Sequence, residues 1–296
     1  MVYIQAMDIV KKPEYRAVLD VVKNHITDLA YPTIFLSFIS VAAIIFLQIL
    51  YLDNYLPYWL HLIITSYLLY LIYTPFHEAT HGNISSKYKW LNRLFGSLSA
   101  FFYLHSFTQH KWSHLTHHKY ANDPILDPDG LIQGKNLFTT IIKSFFLSLT
   151  KDLIYFQRKE VKNAPGTKKI IYIGILESII PIAFIIFLTN ALSLPWHHFI
   201  LSYVLPLLFA TIILGVFFDY LVHRPHKSTE RFGDTNVIRT KSKLDDVMTY
   251  IWVYQNYHGM HHLFPKLPFY NYKKVFVESE KELESLGLPI ITLGKD

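Results

Sequence analysis

The chain contains no cysteine. That excludes disulfides, thiolate-ligated haem, iron–sulfur clusters and cysteine-type zinc modules, whatever the compartment. Charge is also scarce: 17% of the 296 residues are Asp, Glu, Lys or Arg, while 51% are hydrophobic, and the mean hydropathy is +0.23. So much apolar surface does not fit inside soluble cores, which makes lipid the solvent for part of the chain. Met1 to Ala30 mixes Lys, Asp, Glu and Pro without a cleavable apolar stretch, so no signal peptide is expected.

Long uncharged runs take the place of charge. Residues 32–52 and 58–76 carry no charge, residues 170–192 carry only Glu177, and Phe199–Phe218 is uncharged, with its span expected to reach about residue 222. About 20 apolar residues at 1.5 Å rise each cross a bilayer, so four spans are expected. The breaks at Asp53–Pro57 and Ser193–His198 are short, which pairs the spans into two helical hairpins joined by His77–Lys169. The expected fold is an all-α integral membrane protein, one domain over residues 1–296, with a cytoplasmic helical cap. Lys and Arg number four before residue 32, thirteen in 77–169, eleven from 223 onward and none in either short loop. The positive-inside rule then puts both termini and the middle segment in the cytoplasm. Leu94–Leu104 is apolar but too short to span, hence re-entrant or interfacial. Phe138–Leu149 gathers Ile141, Ile142, Phe145, Phe146 and Leu149 on one face, as a helix lying in the interface would. The net charge of +6 fits contact with an anionic leaflet and an acidic partner. No basic module separates from the spans, so no nucleic-acid partner is expected.

Sixteen histidines remain as the metal-binding resource, and most are clustered. His77 and His81 stand in HEATHG; His110, His114, His117 and His118 in QHKWSHLTHH; His223 and His226 in DYLVHRPH; His258, His261 and His262 in QNYHGMHHLFP. Spacings of three and four put imidazoles on one helical face, and all four clusters fall at or beyond the same ends of the spans. Eight histidines from the three boxes exceed the four ligands of a usual zinc site, so two metals fit better. His223 is a ninth candidate, with Asp219 one turn before it, and the residue before Pro225 is pushed out of helix, so His226 need not share its direction. Imidazole suits iron, copper, zinc and nickel alike, so ligand type does not name the metal. His25, His61, His105, His197 and His198 are expected to be interfacial or loop residues.

Three boxes of the form HxxxH, HxxHH and HxxHH around two membrane hairpins resemble the membrane fatty acid desaturase/hydroxylase superfamily, from His77 to about Tyr272. The stretches HLTHHKYANDPILDPDG, DYLVHRPHK and QNYHGMHHLFPKLPFYNY are most similar to the desaturase-like β-carotene 3-hydroxylases. The resemblance implies a non-haem diiron centre with O2 as co-substrate, held by His77, His81, His114, His117, His118, His223, His258, His261 and His262. It implies oxidation of a lipid-soluble substrate, β-carotene at ring carbon 3 or an acyl chain, by hydroxylation or desaturation. Asp219, His110, Asn122, Asp127 and Asp129 are expected around the ligands rather than among them. Glu78 in the first box departs from many relatives. No dinucleotide fingerprint, flavin-type or haem-attachment motif is found, so electrons are expected from a ferredoxin or a cytochrome b5.

Two other readings compete. HEATH also fits HExxH, the zinc-protease motif in which Glu78 would be the general base, and the Asn122–Gly130 run could supply an aspartate ligand. That leaves six box histidines without a task. A metal carrier would place polar residues at mid-membrane on broken helices, for which Glu177 and Pro181 are the only hint.

Overall fold

The computed structural model describes residues 11–240 and 242–294. The first ten residues of the stretch expected to lack a signal peptide lie outside the described residues. Helix α1 (Pro13–Lys23) precedes the first span, α2 (Tyr31–Leu52). The second span, α3, covers Tyr58–His81, and α4 (Lys89–Phe102) folds back along it before α5 (Phe107–Tyr120) returns. After α6 (Leu137–Leu147) and two short helical pieces, Lys151–Phe156 and Lys159–Lys162, come the last two spans, α7 (Thr167–Ala191) and α8 (Trp196–Tyr220). The rest is short: α9 (Leu244–Ile251), α10 (His258–Leu263), α11 (Tyr272–Glu278), α12 (Glu280–Ser285), and two parallel strands, β1 (Val237–Thr240) and β2 (Ile290–Leu293).

Four helices, α2, α3, α7 and α8, are thus long and apolar enough to cross a membrane, as the sequence predicts. Their packing is inverted relative to a soluble bundle. The buried stripe of α2 is Thr33, Ser37, Ser40, Ile44 and Leu47, and that of α7 includes Thr167, Gly174 and Pro181 at heptad spacing. Outward point Phe35, Phe38, Phe46, Ile179, Ile180 and Phe187. Small residues inside let backbones approach where lipid offers no hydrophobic drive between helices. The α6 helix follows the same logic: Thr140 and Ser144 are buried, while Phe138, Ile142 and Phe146 form its exposed stripe.

Two boundaries differ from expectation. The α3 helix runs through Pro75 to His81, so the first histidine pair rides on its last turn, and Gly82 stops it in the left-handed conformation (φ 76°). A side chain other than glycine adopts that conformation at a cost. The α8 helix contains two π-helical stretches, Ile200–Val204 and Gly215–Tyr220. In the first, the Ser202 carbonyl accepts from Gln48 Nε2 at 2.9 Å and from His61 Nε2 at 2.8 Å. His61, expected at an interface or in a loop, is fully buried.

The core has two main parts. Ile44, Leu69, Ile72 and Phe76 pack with Phe95, Phe107, Leu207 and Ala210 between the spans. A second cluster joins Tyr15 and Val18 of α1 to Tyr257, Met260, Phe264, Tyr272 and Phe276, so α1 braces the C-terminal helices. Between α4 and α5 the fit is close: a Cβ on Gly96 would lie 2.3 Å from the buried Phe107 ring. Gly96→Ala is therefore expected to destabilise the fold by about 1–3 kcal/mol through overpacking. Thermal unfolding in detergent would read this as a lower midpoint; an unchanged midpoint would mean that Phe107 can move aside.

Candidate metal centre

Five histidines from three segments meet at the end of α3. His77 and His81 come from α3, His114 and His118 from α5, and His261 from α10; each offers a nitrogen within 4.8 Å of the others. The Nε2 atoms run in near-contact: His77 to His261 at 2.9 Å, His261 to His118 at 2.7 Å, His118 to His114 at 3.0 Å and His114 to His81 at 2.9 Å. Beside this set, His117, His223 and His262 form a second buried group with the same convergence. His258 belongs to neither group by that distance. Its ring centroid nevertheless lies 4.8 Å from His262, 5.1 Å from His261 and 5.2 Å from His223.

Helical spacing produces the split. On α5, His114 and His118 are i, i+4 and share the first set, while His117 is turned by one residue toward the second. On α10, His261 and His262 are adjacent and divide the same way. One helix thus serves both sets, which is what HxxHH provides and HxxxH does not.

In five of the nine histidines the opposite nitrogen is held by an oxygen acceptor. His117 Nδ1 donates to Asp127 Oδ1 at 2.9 Å, and Asp127 also accepts from the backbone N–H groups of Asn122 and Asp129. His258 Nδ1 donates to Gln255 Oε1 at 3.0 Å, His262 Nδ1 to Asp234 Oδ2 at 3.3 Å, and His223 Nδ1 to the Asp234 carbonyl at 3.2 Å. His261 Nδ1 donates to the Tyr272 hydroxyl at 2.9 Å, which in turn donates to Glu78 at 3.4 Å. In a neutral ring each such bond places the proton on Nδ1 and leaves Nε2 free to face the centre.

That arrangement tests whether metal fits. Five Nε2 atoms stand 2.7–3.0 Å apart in a chain, and His77 Nδ1 and His262 Nε2 are buried without any hydrogen-bond partner. An unpaired buried acceptor costs on the order of 1–3 kcal/mol, a cost that a cation bound among these nitrogens would remove. Burial first, and neighbouring imidazoles second, push His114, His118, His258, His261 and His262 well below the ordinary histidine range, which keeps them neutral and able to ligate. His117 behaves oppositely. Burial lowers it, but the Asp127 and Asp129 carboxylates outweigh burial and lift it to about 9. The donor set fits two cations held by imidazole.

The other expected residues sit around this centre in different ways. Asp129 Oδ2 is 3.4 Å from His117 Nδ1 and pairs with Lys151. Asn122 touches no box histidine; its carboxamide donates to the carbonyls of Ser228 and Asp234, tying their loop to Asp127. Asp219 accepts from Gln133 Nε2 at 3.1 Å through Oδ1, and its buried Oδ2 has no partner. His110 stays outside both sets, stacked on Phe76 at 4.1 Å with Nε2 unpartnered. His110 and Asp219 line a cavity of about 70 Å³ that reaches His114, His117 and His258 and is walled by Tyr73, Phe218 and Leu214. His226 stacks 6.5 Å from His223 and takes no part in either set.

Sequence reasoning missed Asp234, Gln255 and Tyr272. Gln255 lies three residues before His258, a spacing that could have marked it; Asp234 and Tyr272 reach their histidines only through the tertiary fold. Glu78 also finds its role here. Its carboxylate accepts from the Phe269 N–H at 3.1 Å and from Tyr272, on the Nδ1 side of His77. A protease base would face water at the metal instead, and Asp127 and Asp129 meet His117 rather than His77 or His81. Asp234→Ala strips His262 of its acceptor, so Co(II) affinity is expected to fall about ten- to a hundredfold. A titration followed by visible absorption reads it, and wild-type affinity would remove Asp234 from the support of the site.

The fatty acid desaturase family model matches residues 53–294, which takes in all three boxes and the four histidine segments. No curated protein matches the chain. Four apolar helices, clustered box histidines and a match over most of the length agree: the chain is a member of the fatty acid desaturase family, an oxidoreductase of membrane type.

Proposed function

We propose that this protein is an O2-dependent non-haem diiron enzyme that hydroxylates or desaturates a lipid-soluble substrate. The observation that carries the reading is the convergence of buried histidine nitrogens in two adjacent sets. One iron would be held by His77, His81, His114, His118 and His261, the other by His117, His223 and His262 with His258 beside it. Nine imidazoles are too many for a tetrahedral zinc site. Bound iron would supply O2 activation and the oxidising power to attack an unactivated C–H bond.

The chain's own residues do the rest. Asp127, Asp234, Gln255 and Tyr272 hold the rings at fixed angles. Tyr73, Phe76, Leu214 and Phe218 wall the small cavity against both sets, so a hydrocarbon segment lying there is oriented and shielded from water. Asp219 and His110 turn polar atoms to the same space and can bind a water or a proton beside the substrate. Electrons come from an external ferredoxin or cytochrome b5, docking on the Lys- and Arg-bearing side, which the positive-inside rule makes cytoplasmic. All of this belongs to one domain.

The stretches flanking the boxes favour a carotenoid β-ring, hydroxylated at carbon 3, while the family match favours an acyl lipid. Metal analysis of the detergent-purified protein with product analysis in cells supplying β-carotene separates them. Two irons per chain with hydroxylated carotenoid is the expected result; two irons with altered fatty acids moves the substrate to acyl lipids. One zinc and no iron overturns the diiron reading. His117→Ala and His261→Ala are each expected to abolish product while membrane insertion persists, and turnover in either variant removes that residue from the ligands.

A further inference from the structure

Glu177 is a carboxylate within the α7 span, where an ionisable group is expensive and needs a stated partner. It lies eight residues beyond Lys169, about 12 Å along the helix at about 1.5 Å per residue. The turn between α4 and α5 explains it. Tyr103 Oη donates to the Leu69 carbonyl at 2.7 Å, and Tyr203 Oη donates to the Phe102 carbonyl at 2.5 Å. Leu69 stands eight residues before His77, again about 12 Å from the histidines toward the far side of the bilayer. The α4 helix therefore descends from the end of α3 to bilayer depth, and α5 climbs back to the centre. The pair is a re-entrant hairpin whose tip is bonded to three spans.

Such a tip presents the first N–H groups of α5 within the depth of the spans, and each unpaired group there costs heavily. Glu177 meets that need. Its Oε2 accepts from Thr108 N at 2.9 Å and from Ser106 Oγ at 2.5 Å; its Oε1 accepts from Thr108 Oγ1 at 2.8 Å and from the Arg93 guanidinium. Ser106 Oγ in turn accepts from Gln109 N at 3.1 Å. A negative charge at a helix N-terminus is also favoured by the helix dipole. One turn earlier, Gly174 leaves room for Gln109: an added Cβ would lie 2.1 Å from its carboxamide carbon. The α5 helix is thus fixed along and about its axis by α7.

That helix carries His114 and His118 of one set and His117 of the other. A slip of one residue moves them by about 1.5 Å and turns them by about 100°, far beyond the tolerance of roughly 0.5 Å for a preorganised site. We propose that Glu177 is a positioning residue for both histidine sets, its carboxylate anchoring the re-entrant tip and so setting where the α5 imidazoles point. The role at the metal rests on the diiron reading; the anchoring of the tip does not.

Glu177→Leu, Glu177→Gln and Arg93→Ala test this in the full-length protein in nanodiscs. The readouts are iron per chain, the visible spectrum of the Co(II)-loaded protein, and hydrogen exchange of peptides covering 106–113 and 255–263. Glu177→Leu is expected to bind less than half the wild-type iron and to exchange faster in 106–113 only. Glu177→Gln, which keeps one carbonyl acceptor, should recover most of the iron with a shifted Co(II) spectrum, and Arg93→Ala, which removes contacts to Glu177 and Thr108 but leaves the carboxylate on Thr108 N, should lose less than Glu177→Leu. Wild-type iron and exchange in Glu177→Leu overturns the proposal, as does an equal loss in Arg93→Ala, which would make the ion pair the operative contact. If Glu177→Leu does not fold, the Gln variant decides, an unchanged Co(II) spectrum counting against. If the wild-type protein holds no metal, the diiron reading fails, and exchange in 106–113 alone decides whether Glu177 anchors the tip.

Discussion

Everything in this fold answers to one unfavourable contact. Imidazole nitrogens from α3, α5 and α10, with His223 after α8, are pressed together out of water. Left to itself such a cluster would open or protonate. It stays closed because each contributing segment is held from behind: Asp127 behind His117, Asp234 behind His262 and His223, Gln255 behind His258, and Tyr272 with Glu78 behind His261. The supports are themselves buried, and Tyr272 is part of the apolar core around Tyr257, Met260, Phe264 and Phe276.

The bilayer fixes how the scaffold can be built. Spans whose outward faces are Phe and Ile and whose inward faces are Thr, Ser and Gly pack backbone to backbone, and their ends present the box residues at one level. Irregular backbone occurs where a partner satisfies it. The π stretch at Ile200–Val204 leaves Ser202 a carbonyl that Gln48 and His61 use, and the tip of the α4–α5 hairpin finds Leu69, Tyr203 and Glu177. Polar groups within the spans therefore act as joints between helices, which gives Glu177 a task unrelated to transport.

Much of this was legible in the chain because it is periodic. Apolar runs of about 20 residues, uncharged but for Glu177, mark the four spans, and i, i+3, i+4 spacing marks the boxes. How the boxes divide between two points was not legible, since adjacent His261 and His262 separate only once α10 is docked. Asp234 carries no local signal; it lies 28 residues from His262 and reaches it through the loop that Asn122 ties down. Glu78 invited a catalytic reading from its motif, yet its partners, Phe269 and Tyr272, lie more than 190 residues downstream. Local pattern names ligand types, and long-range packing decides what each one touches.

That separation along the chain bears on biosynthesis. His77 meets His261 across 184 residues, and the strand that pairs with β1, beside the Asp234 loop, is Ile290–Leu293. A ribosome must therefore deliver the chain through residue 262, all four spans included, before either cluster can close. A chain stalled before residue 258 would present the histidines of α3 and α5 without the α10 histidines that join each set.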